Sequence, residues 1–472
     1  MRASIFDPAT RKWWTLAAVA FGLFMIMLDN TVVNVALPTI QRELKADQSE
    51  LEWVVTGYAL TFAALMLIGG KLADAYGRRL IFVVGIVVFT GSSLACGLAG
   101  TGEALIAWRI VQGVGAALMN PATLSIIAAA FPPKERGTAI GIWVGISALA
   151  LAIGPLVGGL LTEHLTWSWI FFVNIPVGIV AILASFVFID ESRDETHERL
   201  DIPGLLSSGL GLFSLTYGLI EANTYGWTSG RIVAAFVVAV VSLIVFVELE
   251  RRQRAPMLDL TLFRSSTYAG ANLAMLLVAL AMFGVFFFVS LYMQNILGYS
   301  AVEAGAAFLP MTGLIIFVAP LAGKASDRFG SRWLMTVGML LLATQLVYFS
   351  QLGQNESFWN LLPGMLLGGL GMPLVMTPTA AAATRAVPVH KAGVGSAVLN
   401  ACRQVGGALG IAVLGAIVAA QAGERRTAQA FLDGFEPALL VASSILIVGA
   451  VVAASLVRTH RTRAAEPVPE VG

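Results

Sequence analysis

Apolar runs of about twenty residues recur along the whole chain, separated by short polar connections. That is the length at which an α-helix crosses the roughly 30 Å hydrocarbon core of a bilayer. Fourteen such spans are expected, near residues 14–37, 51–70, 80–99, 104–130, 137–161, 169–189, 202–221, 231–249, 268–294, 302–322, 333–351, 358–380, 393–420 and 437–457. The connections leave no room for a soluble domain. The longest, 190–201 and 248–267, read as cytoplasmic linkers, the second with an interfacial helix. The pattern predicts an all-α, multi-pass membrane protein.

Composition supports this. Of 472 residues 57% are hydrophobic and 12% charged, with mean hydropathy +0.82, whereas soluble domains are about a quarter charged. A net charge of +1 lacks the concentrated basic surface that nucleic acid requires. Cys96 and Cys402 lie inside apolar runs, and His164, His197, His390 and His460 are scattered. No disulfide framework, metal site or cofactor is expected from them. No Gly-x-x-x-x-Gly-Lys-Ser/Thr run occurs, so ATP is not an expected partner. The basic leader Met1–Lys12 precedes a first run that contains Asp29, which reads as a retained helix rather than a cleaved signal.

Lysine and arginine set the orientation. With the N-terminus inside, inner segments hold 22 of the 29 basic residues, outer segments keep Arg42, Lys45, Arg231, Arg425 and Arg426, and Arg109 and Arg403 fall within spans. Both termini are therefore expected in the cytoplasm, and the protein in the cell membrane.

One polar connection occurs twice. Gly70-Lys71-Leu72-Ala73-Asp74-Ala75-Tyr76-Gly77-Arg78-Arg79 joins spans two and three, and Gly323-Lys324-Ala325-Ser326-Asp327-Arg328-Phe329-Gly330-Ser331-Arg332 joins spans ten and eleven. Asn120-Pro121-Ala122 and Thr377-Pro378-Thr379 repeat at the same offset. A plain duplication of six spans would put the second loop between spans eight and nine, so spans seven and eight read as an inserted pair. The expected organisation is a six-helix bundle over 1–190, a linker with two inserted helices over 191–267, a second six-helix bundle over 268–460 and a tail over 461–472.

Asp29 is the one acid placed well within a span. An ionised carboxylate in hydrocarbon is costly, so such a residue faces a cavity or a partner. Depth links it to Arg109. At 1.5 Å per residue Asp29 rises about 22 Å from residue 14, and Arg109 lies about 8–9 Å below the outer start of its own span. Both fall in the outer half, and a pair is expected. In span five, Gly154-Pro155-Leu156-Val157-Gly158-Gly159 offers small residues for close helix approach and a proline that permits a bend.

These stretches, with Leu28-Asp29-Asn30-Thr31-Val32-Val33-Asn34-Val35-Ala36-Leu37-Pro38, Leu105 to Gly113, Trp167 to Pro176 and Arg403-Gln404, resemble the major facilitator superfamily, in its fourteen-span drug:proton antiporter branch (EmrB/QacA-like). The likeness covers nearly the whole chain. It implies a monomeric, proton-gradient-driven exporter of small hydrophobic or cationic drugs working by alternating access, with multidrug efflux and antibiotic resistance as outcomes. A dedicated exporter of one metabolite or antibiotic is the alternative. An enzyme would need clustered catalytic groups, and two repeats with paired gating loops favour a carrier over a channel.

Carried onto matching positions, the resemblance assigns proton coupling to Asp29 and Arg109. It assigns inner gating to Gly70, Asp74, Gly77, Arg78, Arg79, Gly323, Asp327 and Arg328. Gly154, Pro155, Gly158 and Gly159 form the antiporter motif that marks export. Asn30, Asn34, Gln112, Asn272, Phe283, Phe287 and Arg403 are the candidate lining of the substrate cavity. Ala75 and Ser168 stand where the family commonly has arginine, so a weakened latch is expected at the first loop.

Overall fold

The computed structural model describes residues 8–193, 201–253, 256, 258, 260–387, 392–422 and 427–458. The tail 461–472, Arg2, Arg199, Arg254, Lys391, Arg425, Arg426 and the side chain of Asp327 lie outside what is described. The chain is helical throughout, with no strand among the described residues. The helices are α1 (Pro8–Leu44), α2 (Gln48–Tyr76), α3 (Arg78–Gly97), α4 (Gly102–Ala130) and α5 (Pro133–His164). Next come α6 (Trp169–Phe172), α7 (Asn174–Phe188), α8 (Ile202–Tyr225), α9 (Gly230–Arg252) and a 3-10 turn at Leu260–Arg264. The remainder are α10 (Ser266–Asn295), α11 (Ala301–Ala307), α12 (Leu309–Phe329), α13 (Ser331–Phe349), α14 (Phe358–Arg385), α15 (Ala392–Ala422) and α16 (Ala428–Leu456).

Twelve spans among the described residues are long and apolar enough to cross a membrane, with α6–α7 and α11–α12 each making one. A thirteenth is counted if α2, bent by 50° between Gln48–Met66 and Ile68–Tyr76, is taken as one span. This differs from the fourteen expected from hydropathy, and α5 stands outside the twelve. The bend precedes Gly69-Gly70, where the lost side chains let α2 lie on the backbone of Ala117 in α4.

Local sequence explains where helices begin. Asp47 and Glu50 form a capping box at α2, and Ser300 and Glu303 form another at α11. Thr101, Asp201, Ser229, Ser265 and Thr427 each accept a hydrogen bond from an amide of the first turn that follows. Such caps satisfy donors that the helix itself leaves open.

Packing divides the helices. α1 runs beside α4, α5 and α7, and α4 lies against α2 and α3. In the C-terminal part α10 packs on α15 and α16, and α13 on α14 and α16. α8 and α9 pair with each other, and α8 also touches α2 and α15. The side on which α1 starts is called the near face and the opposite side the far face. The first six-helix group holds its own apolar core, with Phe62, Phe82, Phe89 and Met119 fully buried.

Candidate transport site

Asp29 of α1 and Arg109 of α4 meet in that group. Arg109 donates from Nη1 to Asp29 Oδ2 at 2.5 Å, and the two side chains are 0–1% exposed. The depth argument from sequence is thus matched by a direct bond. Arg109 Nε donates to the Val54 carbonyl of α2 at 3.0 Å, and Nη1 also reaches Gln112 Oε1 at 2.8 Å. Its guanidinium lies 4.3 Å from the centre of the Tyr58 ring and 5.8 Å from that of Phe171, positions that suit a cation over a π-face.

Gln112 completes the circuit. One turn along α4 from Arg109, it donates from Nε2 to Asp29 Oδ1 at 3.1 Å and to Ser93 Oγ at 3.3 Å. Ser93 donates to the Phe171 carbonyl at 3.0 Å and accepts from Asn174 Nδ2 at 3.0 Å. Cys96 directs its thiol at Gln112 Oε1, 3.9 Å away. Six helices, α1 to α4 with α6 and α7, therefore converge on one charge pair, with both carboxylate oxygens engaged. Breaking a buried pair by removing one partner costs about 3–5 kcal/mol. Sequence reasoning put Gln112 in the cavity lining and gave no role to Ser93 or Tyr58. Their only signal was polarity inside apolar runs, which does not name a partner.

The residues of α1 just beyond Asp29 meet α5. A side chain at Gly154 would strike Thr31, and one at Gly158 would lie 2.6 Å from the Val32 carbonyl. The other face of α5 meets the C-terminal helices. Gly159 lies against the Ala301 carbonyl and Gly305 against the Pro155 carbonyl. The four motif positions thus join α5 to α1 and α11, through the Thr31 side chain at Gly154 and through backbone at the other three. Nearby, Ser290 donates to the Asn34 carbonyl at 3.0 Å and Gln294 to that of Val35 at 2.8 Å. Val302 N donates to Glu163 Oε2 at 2.9 Å. Glu163 sits at the far end of α5, outside its apolar run, and these bonds from Val302 and then Ser300 hold its carboxyl below the usual carboxylate range. All these contacts lie on the far side and seal it.

A second buried acid sits in this seal. Glu52 of α2 is 2% exposed. Its carboxyl fills the notch left by Gly415 of α15 and accepts from Gln48 Nε2 at 3.1 Å. Asp29 is therefore joined by a second buried acid, one at the start of a span rather than well within it. Glu52 stands second in its apolar run, where hydropathy alone reads it as a helix-end charge. Glu221 accepts from Ser49 Oγ at 2.7 Å and Trp53 Nε1 at 3.3 Å, tying α8 to α2.

The near-face loop is tightly built. Gly77 has φ 120°, a left-handed conformation that glycine accepts readily, and Gly330 repeats it with φ 84°. Arg78 holds Asp74 of the same loop at 2.9 Å. Glu191, following α7, accepts from the amides of Arg79 and Leu80 at 3.1 Å each, a carboxylate seated on the start of α3. Arg79 Nη1 donates to the Ile189 carbonyl at 3.2 Å. A side chain at Gly70 would lie 3.5 Å from the Pro121 ring. In the second loop Gly323 approaches Thr377, and Arg328 lies over the Phe329 ring at 5.3 Å.

Among the cavity candidates, Asn30 and Asn34 bond back to carbonyls of α1 and stay half-buried. Phe287 is fully buried against Phe288, whereas Phe283 is half-buried beside Gly407. Asn272 is 1% exposed, and Arg403 is half-buried on α15.

A bundle of membrane-length helices, joined on the far side by contacts between its N- and C-terminal helices, defines an all-α multi-pass membrane protein. The model of the Major Facilitator Superfamily matches residues 19–411 and again 271–472, and the chain belongs to that family. The chain is 38% identical to the tetracenomycin C resistance and export protein of Streptomyces glaucescens, over 88% of this chain and 77% of the relative. It is 37% identical to the puromycin resistance protein pur8 of Streptomyces alboniger, over 97% and 94%. It is 39% identical to the multidrug resistance protein Stp of Mycobacterium tuberculosis, over 86% and 76%. In fold it resembles a crystal structure of a bacterial homolog to the human lysosomal transporter Spinster, in an inward-facing and unoccupied conformation. The TM-score is 0.66 and the identity 18%, covering 94% of this chain and 96% of that one.

Proposed function

We propose that the chain is a proton-coupled exporter of small, mostly hydrophobic or cationic drugs, working as a fourteen-span monomer in the cell membrane. The observation that carries this is the position of α1. Within seven residues it holds the buried acid Asp29, the contacts of Thr31 and Val32 with α5, and the bonds from α10 to Asn34 and Val35. Protonation of Asp29 removes the charge that holds Arg109. A released α1 then shifts against α5 and α10, and the far seal opens. The near face is read as cytoplasmic from the inner excess of arginine and lysine. Fourteen spans follow if both the bent α2 and the 32-residue α5 cross the membrane. The names of the relatives support drugs or antibiotics as cargo, with export of a single antibiotic as the second reading.

The test is drug uptake into everted vesicles carrying the full chain, whose outer surface is the cytoplasmic face. A saturable flux driven by an imposed proton gradient is expected, reduced at least about tenfold by Asp29→Asn or Arg109→Gln. Unaltered proton-driven flux in either variant overturns the coupling role, and an unsaturable conductance would indicate a channel.

A further inference from the structure

A second intramembrane arginine has no such balance. Arg403 lies on α15, half-buried, and its Nε has no hydrogen-bond partner among the described residues. The other charges of the interior do not cancel it. Asp29 is held by Arg109 and Gln112. Glu52 lies at Gly415, twelve residues along the same helix, about 18 Å from the level of Arg403 at 1.5 Å per residue.

The neighbours of Arg403 point to the space between the two six-helix groups. α15 packs against α2 through Ala408, which joins Ala59 and Leu60. It packs against α10 through Gly406 on Leu276 and Gly410 on Leu280. Arg403 stands between these two contact lines, on the side where a side chain at Gly407 would lie 2.9 Å from the Phe283 ring. Carried one turn towards the near face, the same register brings Asn272 level with Cys402 and Arg403. Arg403 is close enough to Tyr58 for the two to interact electrostatically. Orphaned polar atoms lie on each of the three helices that meet here, α2, α10 and α15. The Tyr58 hydroxyl, Asn272 Oδ1 and both amide atoms of Gln404 lack a hydrogen-bond partner among the described residues, and these three side chains are 0–1% exposed.

An uncancelled cation at membrane depth requires a cavity or a partner, and buried polar groups left unpaired are costly. A guanidinium presents a planar fork that matches a carboxylate or another oxyanion. We infer that Arg403 is the anchor of an oxyanion subsite, taking a carboxylate or phenolate on an otherwise apolar, aromatic cargo. Phe283 supplies the apolar wall, and Tyr58, Asn272 and Gln404 supply donors and acceptors. This deepens the proposed export function and rests on it. It also widens the cargo beyond cations, because Asp29 is already occupied by Arg109.

The experiment uses the full chain in lipid nanodiscs at neutral pH, with 1-naphthoic acid and its uncharged analogue 1-naphthamide as probes. The wild type is expected to bind the acid about tenfold more tightly than the amide. Arg403→Gln erases that preference, and Arg403→Lys, which keeps the charge, retains most of it and controls for folding. Equal binding of the two probes by the wild type, or a preference that survives in Arg403→Gln, overturns the subsite. Proton-driven drug efflux by the wild type is measured in parallel. A missing acid preference beside intact efflux sinks the subsite alone, whereas missing efflux sinks the proposed function itself.

Discussion

Arg109 shows how few atoms hold the centre together. Its three bonds go to α1, α2 and its own helix, and its flat face rests on Tyr58. Truncation to alanine leaves Asp29 buried with Gln112 alone. Arg109→Ala is therefore expected to destabilise the protein by about 3–5 kcal/mol, measured by thermal or denaturant unfolding in detergent. The double variant Asp29→Asn/Arg109→Gln removes both charges, and its loss should be smaller than the sum of the single losses. Additive losses would show that the pair does not act as a unit. The pair was legible in the sequence because charge within an apolar run is rare and depth is simple arithmetic. The role of Gln112 was not, since an amide bonds equally well to a ligand, a neighbour or its own helix.

At the scale of elements, α5 joins the buried pair's helix to the C-terminal helices. Its glycines leave no room for a side chain, so Gly158→Val forces Val32 away. The expected outcome is loss of export with normal insertion. Disulfide trapping reads the same event: cysteines at Asn34 and Ser290 should cross-link in the parent and fail to do so in Gly158→Val. Unchanged cross-linking would show that the glycine contact does not set the seal. The far end of α5 carries a pH dependence. Glu163 has a folded pKa below its unfolded value, so its bond to α11 stabilises above the ordinary carboxylate pKa and is lost as pH falls through the lowered one. Label-to-label distances between the far ends of α5 and α11 should widen in acid, and Glu163→Gln should abolish that dependence. The spacing of the motif announced close packing, but the identity of each partner backbone lay 120 or more residues away along the chain.

For the whole molecule the open count of spans is decided by topology. If α5 crosses the membrane, the connections on either side of the α4–α5 pair both face outward. Cysteines placed at Gly100 and at Leu165 should then both react with a membrane-impermeant maleimide in intact cells. Labelling at only one of the two positions would remove α5 from the spans. At the first loop the ion pair that is present joins Asp74, at the end of α2, to Arg78, at the start of α3. Glu191 adds a brace to that loop, from a segment that the sequence read only as linker.

Hydropathy is local and additive, so the chain alone determined that it is a many-spanned helical membrane protein and where most spans lie. The repeated loop, with a glycine at Gly77 and again at Gly330, likewise followed from sequence, because a left-handed turn between two helices restricts residue type. Tertiary structure decided which charges are cancelled. Asp29 and Arg109 are 80 residues apart and bond, Glu52 is pressed onto a glycine of α15, and Arg403 remains without a counter-charge among the described residues. Neutralisation depends on distances of a few ångströms between helices remote in sequence, and no pattern along one chain encodes those.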